Sequence, residues 1–191
     1  MLQRLCTSWV YGGFLAGFLM LALVPLLLPP VWPAALLAVY LQLPIYMLHQ
    51  FEEHDQDRFR AFFNRTIGKG REVLSSEAVF VINVPGVWGV IAASLLLARF
   101  VSPGLGLIAI YLTLVNAVIH VVASAVTRAY NPGLVTAIVL FLPAGLYGLR
   151  EVNATGAAGW PAHALGVGIA VAIHVAIVAY ARVRLQRGPV E

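Results

Sequence analysis

The sequence has few charged residues and only one cysteine. Charged residues make up 10% of the 191 positions and hydrophobic residues 61%, whereas soluble domains have about 25% and about 45–50%. This balance excludes a water-soluble monomer, a disordered chain and a coiled coil. The single cysteine, Cys6, excludes a disulfide scaffold and a metal site made of thiolates alone.

The hydrophobic residues are concentrated in six long runs. Each is long enough to cross about 30 Å of hydrocarbon as a helix. The sequence therefore predicts an all-α, polytopic membrane protein, a bundle of six transmembrane helices forming one domain over residues 1–191. The predicted spans are Tyr11 to Leu28, Val31 to Leu48, Ala78 to Ala98, Gly104 to Val126, Gly133 to Leu149 and Pro161 to Ala181.

The basic residues predict the orientation of these spans. Ten of the twelve Lys and Arg residues fall at the end that also holds both termini, and only Arg99 and Arg150 fall at the other. By the positive-inside rule, both termini are cytoplasmic in a multi-pass protein of the cell inner (plasma) membrane. Topology thus accounts for the basic residues, so we expect the lipid bilayer as a partner and no nucleic acid.

One long polar stretch, residues 50–77, separates spans two and three and is predicted to be cytoplasmic. Its first part mixes charge with phenylalanine, as in a continuation of span two or an amphipathic helix on the membrane surface. Gly68 and Gly70 end that part, and Ser75 is a candidate N-cap for span three.

Several polar side chains occur within or at the ends of spans. Each costs about 2.5–3.5 kcal/mol at a helix centre if charged, so such residues usually pair, face a cavity or do chemistry. All lie toward the cytoplasmic leaflet, which predicts one shared pocket opening inward. His163, at the outer end of span six, does not fit this set. The set is His49, Glu52, Glu53, His54, Asn83, Asn116, His120 and His174.

Imidazole and carboxylate groups together suit a zinc or iron ion. Glu53 would then act as general base, and Asn83 and Asn116 would orient ligands or substrate. The spacing does not decide which of Glu52 and Glu53 is ligand and which is base, nor whether the chemistry is hydrolytic or oxidative. We assign as metal ligands His49, Glu52, His120 and His174.

The same side chains have structural interpretations. Asn116 and Ser124 are typical of interhelical hydrogen bonds, worth about 0.6 kcal/mol each, and the charges from Glu52 to Arg60 suit a solvated helix end. A membrane scaffold, or a proton-coupled transporter using Glu52 and the histidines as a relay, therefore stays open.

The run His49-Gln50-Phe51-Glu52-Glu53 resembles the motif of the HXXEE family of bacterial integral membrane proteins. Asn116-x-x-x-His120 and Tyr130-Asn131-Pro132-Gly133 are similar to later motifs of that family, although the second also makes a good turn. The family has no settled activity. The resemblance implies a membrane protein with a metal or hydrolytic site.

A looser resemblance is to glutamate-dependent intramembrane proteases of the CAAX-processing type, which carry a Glu-Glu pair, an Arg and two later histidines. Here Asp57 stands where that Arg is expected and Asn116 where an aromatic is expected. Together the sequence predicts a metal-dependent membrane enzyme, hydrolase or oxidoreductase, acting on a lipid or hydrophobic substrate from the cytoplasmic leaflet. Small residues along span six allow close helix packing within or between subunits, so a homo-oligomer stays open.

Overall fold

Helices account for the architecture of the computed structural model, which describes residues 2–187. No strand occurs in that range, and six helices are long and apolar enough to cross a membrane. The all-helical, six-span prediction is confirmed. The long helices are α1 (Leu2–Ala22), α2 (Ala34–His54), α4 (Ser76–Phe100), α5 (Leu107–Thr127), α6 (Leu134–Ala154) and α7 (Trp160–Gln186), and a short helix α3 (Arg58–Thr66) connects α2 to α4.

The first helix lies closer to the N-terminus than the sequence predicts. The predicted span Tyr11 to Leu28 ends beyond Ala22, where α1 stops, and starts well after Leu2, where it begins. Pro25 lies in a separate 3₁₀ turn, because proline has no N–H to continue the helical hydrogen bonds. The helix instead includes the residues before Tyr11, of which only Arg4 is charged.

The end of α2 agrees with one of the two alternatives predicted for the start of the polar stretch, a continuation of span two, and this matters for the site. The helix runs past Leu48 to His54, so its last turns carry the histidine and both glutamates of the motif. It then breaks at Gln56 and Asp57, both with left-handed backbone angles. Helix α3 follows as a separate element, and the Ser75 hydroxyl caps α4 by accepting the Ala78 N–H at 3.2 Å, as predicted.

Two of the long helices contain wider, π-helical turns. In α4 these are Ile82–Trp88, around Pro85, and in α6 they are Ala137–Phe141. A π turn inserts one extra residue into the helix and is frequent at functional sites. Here the first π segment contains Asn83, and the second begins just after Thr136.

Helices α2 and α5 form the centre of the bundle. In their apolar stretches 67% and 56% of the residues are buried, against 17–28% for the other four long helices. The side chains at the α2–α5 contact are therefore removed from both lipid and water. This is the position of His49, Glu53 and His120.

One end of the bundle, which we call the α3 end, gathers the polar connections. Tyr11 of α1 donates to Asp55 Oδ1 at 3.1 Å, and Arg71 donates to the Leu185 carbonyl at 2.7 Å near the end of α7. The opposite end holds Arg99 and Arg150, the two basic residues predicted to be separate from the rest. The side of a membrane that the α3 end would face stays a prediction.

Candidate metal centre

Two imidazoles and one carboxylate meet where α2 contacts α5. The Nε2 atom of His49 lies 3.4 Å from Glu53 Oε2, and Nε2 of His120 lies 3.0 Å from Glu53 Oε1. Only 0%, 5% and 4% of His49, Glu53 and His120 are exposed. Helical geometry explains the contact between His49 and Glu53, since residues i and i+4 of α2 lie on one face. His120 is supplied by α5.

The tautomer of His120 is set by Asn131. The Asn131 amide donates from Nδ2 to the His120 carbonyl at 3.0 Å, which turns its Oδ1 toward the ring. That oxygen can only accept, so the 2.6 Å contact is a bond donated by His120 Nδ1. The Nε2 atom, which faces Glu53, is therefore the one free to act as a ligand.

His49 is held in the same way through a longer chain. The Thr136 hydroxyl donates to Glu52 Oε2 at 2.5 Å, so its oxygen accepts from His49 Nδ1 at 2.8 Å. The Nε2 atom of His49 again points to Glu53. Within the described part of the chain this buried nitrogen has no hydrogen-bond partner, and such an atom usually marks a function or a missing ion.

The buried carboxylate has no positive partner when both imidazoles are neutral, which is costly in a buried environment. A cation between the three groups, or a second proton on one imidazole, would compensate it. One ligand atom from each residue lies within 4.8 Å of the others. Two ligands of a tetrahedral zinc ion, at about 2.1 Å each, are about 3.4 Å apart, close to the 3.0 and 3.4 Å seen here. His49, Glu53 and His120 could hold a metal ion.

The two glutamates have different positions from those assigned on sequence. Glu53, expected to be a base, lies between the imidazoles. Glu52, expected to be a ligand, contacts Thr136, which in turn bonds to the other side of His49. The oxygens of Glu52 accept from the backbone N–H groups of Val135 and Thr136 at 3.2 and 2.7 Å. Two adjacent helical residues point about 100° apart, so only one can face α5, and the sequence does not say which.

Tyr130 completes the surroundings of Glu52. Its hydroxyl donates to Glu52 Oε1 at 2.8 Å. Partial burial, and then the bond to this carboxylate, raise the pKa of Tyr130. The phenol therefore stays protonated and continues to donate at neutral pH.

The connection between α5 and α6 closes directly over the cluster at Gly133. Its φ is +98°, and a Cβ there would lie 2.7 Å from Glu53 Cγ, 2.7 Å from His120 Cε1 and 2.9 Å from His49 Cε1. Only glycine fits both the angle and the space. The Tyr130-Asn131-Pro132-Gly133 motif is thus a turn that also supplies site groups. Its position directly after span four, which carries Asn116 and His120, was the signal available for finding Asn131.

The remaining predicted residues line a cavity next to the cluster. His174 donates from Nδ1 to the Ala170 carbonyl at 2.8 Å. Asn116 donates to the Tyr46 hydroxyl at 2.5 Å, and Asn83 Oδ1 accepts from Gln50 Nε2 at 2.8 Å. His174 is not in the group of close ligand atoms. The side chains of Glu53, Asn83, Asn116, His120 and His174 nevertheless share this one cavity.

The cavity has a volume of about 300 Å³ and walls that are mostly apolar. Phenylalanines of α3 cover one side and aliphatic residues of α5 and α7 the other. A mainly apolar pocket with a few convergent polar groups is the usual form of a small-molecule site.

A sequence model of one protein family matches residues 40–148, and its description reads "Protein of unknown function with HXXEE motif". The match covers more than half of the chain and includes His49, Glu53, His120 and the loop that carries Asn131 and Gly133. No curated protein and no solved structure matches the chain.

Proposed function

The chain belongs to the HXXEE-motif family, and on that premise we propose that it is a metal-dependent membrane enzyme acting on a lipid or other hydrophobic substrate. His49, Glu53 and His120 hold one zinc or iron ion. The observation that carries this proposal is the paired orientation of the imidazoles, each bonded through Nδ1 and each presenting Nε2 to the same buried carboxylate.

Two histidines and one carboxylate are the protein ligands of many catalytic zinc sites and of non-haem iron sites, both of which keep positions open. Zinc would supply an activated water at such a position and iron would supply oxygen chemistry. Glu52 keeps His49 in orientation through Thr136 and has no free oxygen for a second role. Asn116 and His174 face the cavity and are placed to contact a substrate.

The location of the site supports a hydrophobic substrate taken from the cytoplasmic leaflet of the plasma membrane. The cluster lies near the α3 end of α2 and α5, one or two turns from the connections that hold most of the basic residues. Those residues favour the cytoplasmic side. The cavity beside the cluster has apolar walls, as a lipid requires.

Metal analysis of the full chain purified in detergent tests the proposal. We expect about one zinc or iron per chain, lost in Glu53→Gln because the amide is a poor ligand. Glu52→Gln, the matched variant one residue away, should keep most of the metal. Absence of metal after purification with zinc or iron, or equal loss in both variants, would contradict the proposal.

The reaction class is a second measurement on the same samples. Membrane lipid extract incubated with the metal-loaded chain is compared by mass spectrometry with extract incubated with Glu53→Gln. Addition of water across a bond assigns a hydrolase; gain of oxygen or loss of hydrogen assigns an oxidoreductase. No change in any lipid would count against an enzyme.

A second candidate is a metal-free hydrolase in which Glu53 activates water, as in glutamate-dependent intramembrane proteases. It is favoured by the third imidazole near this carboxylate, since His54 Nε2 lies 3.5 Å from Glu53 Oε2. Hydrolysis that survives complete chelation would select it. The proton-coupled transporter alternative instead predicts proton-dependent flux in proteoliposomes without any altered lipid.

A further inference from the structure

The polar groups of the cavity form a band about one to two turns deep. Asn83 on α4, Asn116 and His120 on α5, and His174 on α7 lie about two to three turns from the α3 end of their helices. Together with Glu53 of α2 they face the same space. The band therefore surrounds the cavity on four helices.

Apolar side chains continue on both sides of this band. Toward the middle of the bundle the lining consists of Val87, Leu112 and Ile173, about one turn beyond the polar groups on α4 and α5. Toward the α3 end it consists of Val79, Ala123 and Ile177, and then of the phenylalanines of α3. A ligand that fills this cavity therefore needs an apolar segment of its own on both sides of its polar group.

The volume limits the number of chains. A cavity of about 300 Å³ lies at the small end of the range of about 300–1,000 Å³ found for small-molecule pockets. It therefore favours one chain over a lipid with two long acyl chains. One linear chain fits, with its remainder extending out of the cavity.

The edge of the cavity where exposed residues occur is the natural opening. Ile67 after α3, Ile119 of α5 and Val178 of α7 line the cavity and are 44%, 41% and 38% exposed. Thr66 and Thr127 also line the cavity and are exposed, but they lie at the α3 end. The part of the opening formed by Ile119 and Val178 therefore faces hydrocarbon. A chain from the bilayer can therefore reach the polar band without crossing an aqueous layer.

From these three features we infer that the cavity binds one linear hydrocarbon chain carrying a single oxygen group a few carbons from its inner end. The oxygen group lies at the band of Asn83, Asn116, His120 and His174. The short end occupies the floor at Val87 and Leu112, and the longer part lies beside the α3 phenylalanines. This names the substrate class and rests on the proposed function for its reaction, but binding itself needs no metal.

Isomeric alcohols of one chain length test the inference. The full chain in lipid nanodiscs is loaded with 1-dodecanol or 5-dodecanol and released for native mass spectrometry. We expect one alcohol per chain, with 5-dodecanol retained about fivefold better, the value of one hydrogen bond of about 1 kcal/mol. Equal retention of the isomers, or more than one alcohol per chain, overturns the inference.

Two alanines of α5 give a matched pair of variants. Ala123 lines the cavity one turn from His120, whereas Ala125 is exposed on the lipid side of the same helix. Ala123→Phe fills the cavity and should reduce retention of 5-dodecanol at least tenfold, while Ala125→Phe should leave it unchanged. Equal effects in the two variants would also overturn the inference.

Metal content measured on the same samples separates this inference from the proposed function. Alcohol retention that Ala123→Phe abolishes, in a chain that binds no metal, supports the inference and contradicts the metal-dependent enzyme. A chain that binds metal and retains neither alcohol contradicts the inference and leaves the metal centre standing. We expect Ala123→Phe to keep its metal.

Discussion

Each end of the bundle has a hydrogen-bonded histidine, His163 of α7 at one end and His120 of α5 at the other. The two histidines form different hydrogen bonds. At the end opposite α3, His163 uses both ring nitrogens, with Nδ1 2.8 Å from the Tyr111 hydroxyl and Nε2 3.1 Å from Asn153 Oδ1. Its partners are neutral. His120 at the α3 end instead donates from Nδ1 to Asn131 Oδ1, and its Nε2 faces the carboxylate of Glu53.

Two left-handed glycines show the same contrast. Gly156, near the opposite end, has φ +73° and nothing within 4 Å of where a Cβ would lie. Gly133 has φ +98° and touches all three members of the cluster. The opposite end needs glycine only for its backbone, whereas the α3 end needs it for the site. A functional site is therefore indicated by buried polar groups whose free ligand atoms face one another, not by polarity in itself.

The largest effect is expected from the two histidines. His120→Ala should reduce bound metal at least tenfold, because it removes one of three ligands, while His163→Ala should leave metal content unchanged. Metal analysis of both purified variants measures this, and circular dichroism checks that each keeps its helical content. Equal metal loss in the two variants would mean that the ends do not differ as their bonding indicates.

The glycines give the next largest effect. Gly156→Ala should cost about 1 kcal/mol, the penalty of a left-handed backbone. Gly133→Ala adds overlap with three buried side chains, typically about 1–3 kcal/mol, and should cost about 3 kcal/mol in total. Unfolding in detergent measures both, and metal loss should accompany only Gly133→Ala. Similar costs would show that the loop is free to move off the cluster.

A smaller effect is expected at Thr136, which links Glu52 to His49. Thr136→Val keeps the shape and removes the hydroxyl, and loss of such an orienting partner typically weakens metal binding about 10–100-fold; we expect about tenfold here. Thr155→Val, near the opposite end, removes a bond to the Val152 carbonyl and one accepted from the Ala157 N–H, neither of which reaches the cluster. Chelator competition should find wild-type affinity in Thr155→Val, and a weakened Thr155→Val would point to a general loss of stability instead.

The sequence was sufficient for the parts of this site that depend on one helix. Apolar run lengths predicted six spans. The cost of polar groups in a membrane selected eight residues that include His49, Glu53 and His120. The ligands assigned among them included Glu52 and His174, with Glu53 as the base. The shared cavity also followed, because residues at equal depth on neighbouring helices meet. Local signals are adequate for such features.

The remaining features depend on how the α5–α6 connection folds back. The backbone N–H groups of Val135 and Thr136 hold Glu52 away from the two imidazoles and leave Glu53 between them. No helical pattern in the sequence reveals these donors. The orienting role of Asn131 depends on the same fold. The first span was misplaced for a different reason, since hydropathy alone extends through Pro25 whereas a helix does not.

The smallest effect is expected from two tyrosines, one at each end. Tyr130 is half exposed and donates to Glu52, which keeps three other donors from Val135 and Thr136 after Tyr130→Phe. Metal affinity should therefore fall only about threefold. This is near the low end of the loss expected for one hydrogen bond, which is usually worth about 0.5–1.5 kcal/mol.

Tyr111→Phe is the matched control, because it removes the bond to His163 and leaves the metal centre untouched. It should lower stability by about 1 kcal/mol without changing metal affinity. The two variants are compared by chelator competition and by unfolding in detergent. If Tyr130→Phe weakened metal binding as much as Thr136→Val, the orientation of Glu52 would depend on the Tyr130 loop rather than on the start of α6, because the backbone donors would then be insufficient to hold the carboxylate.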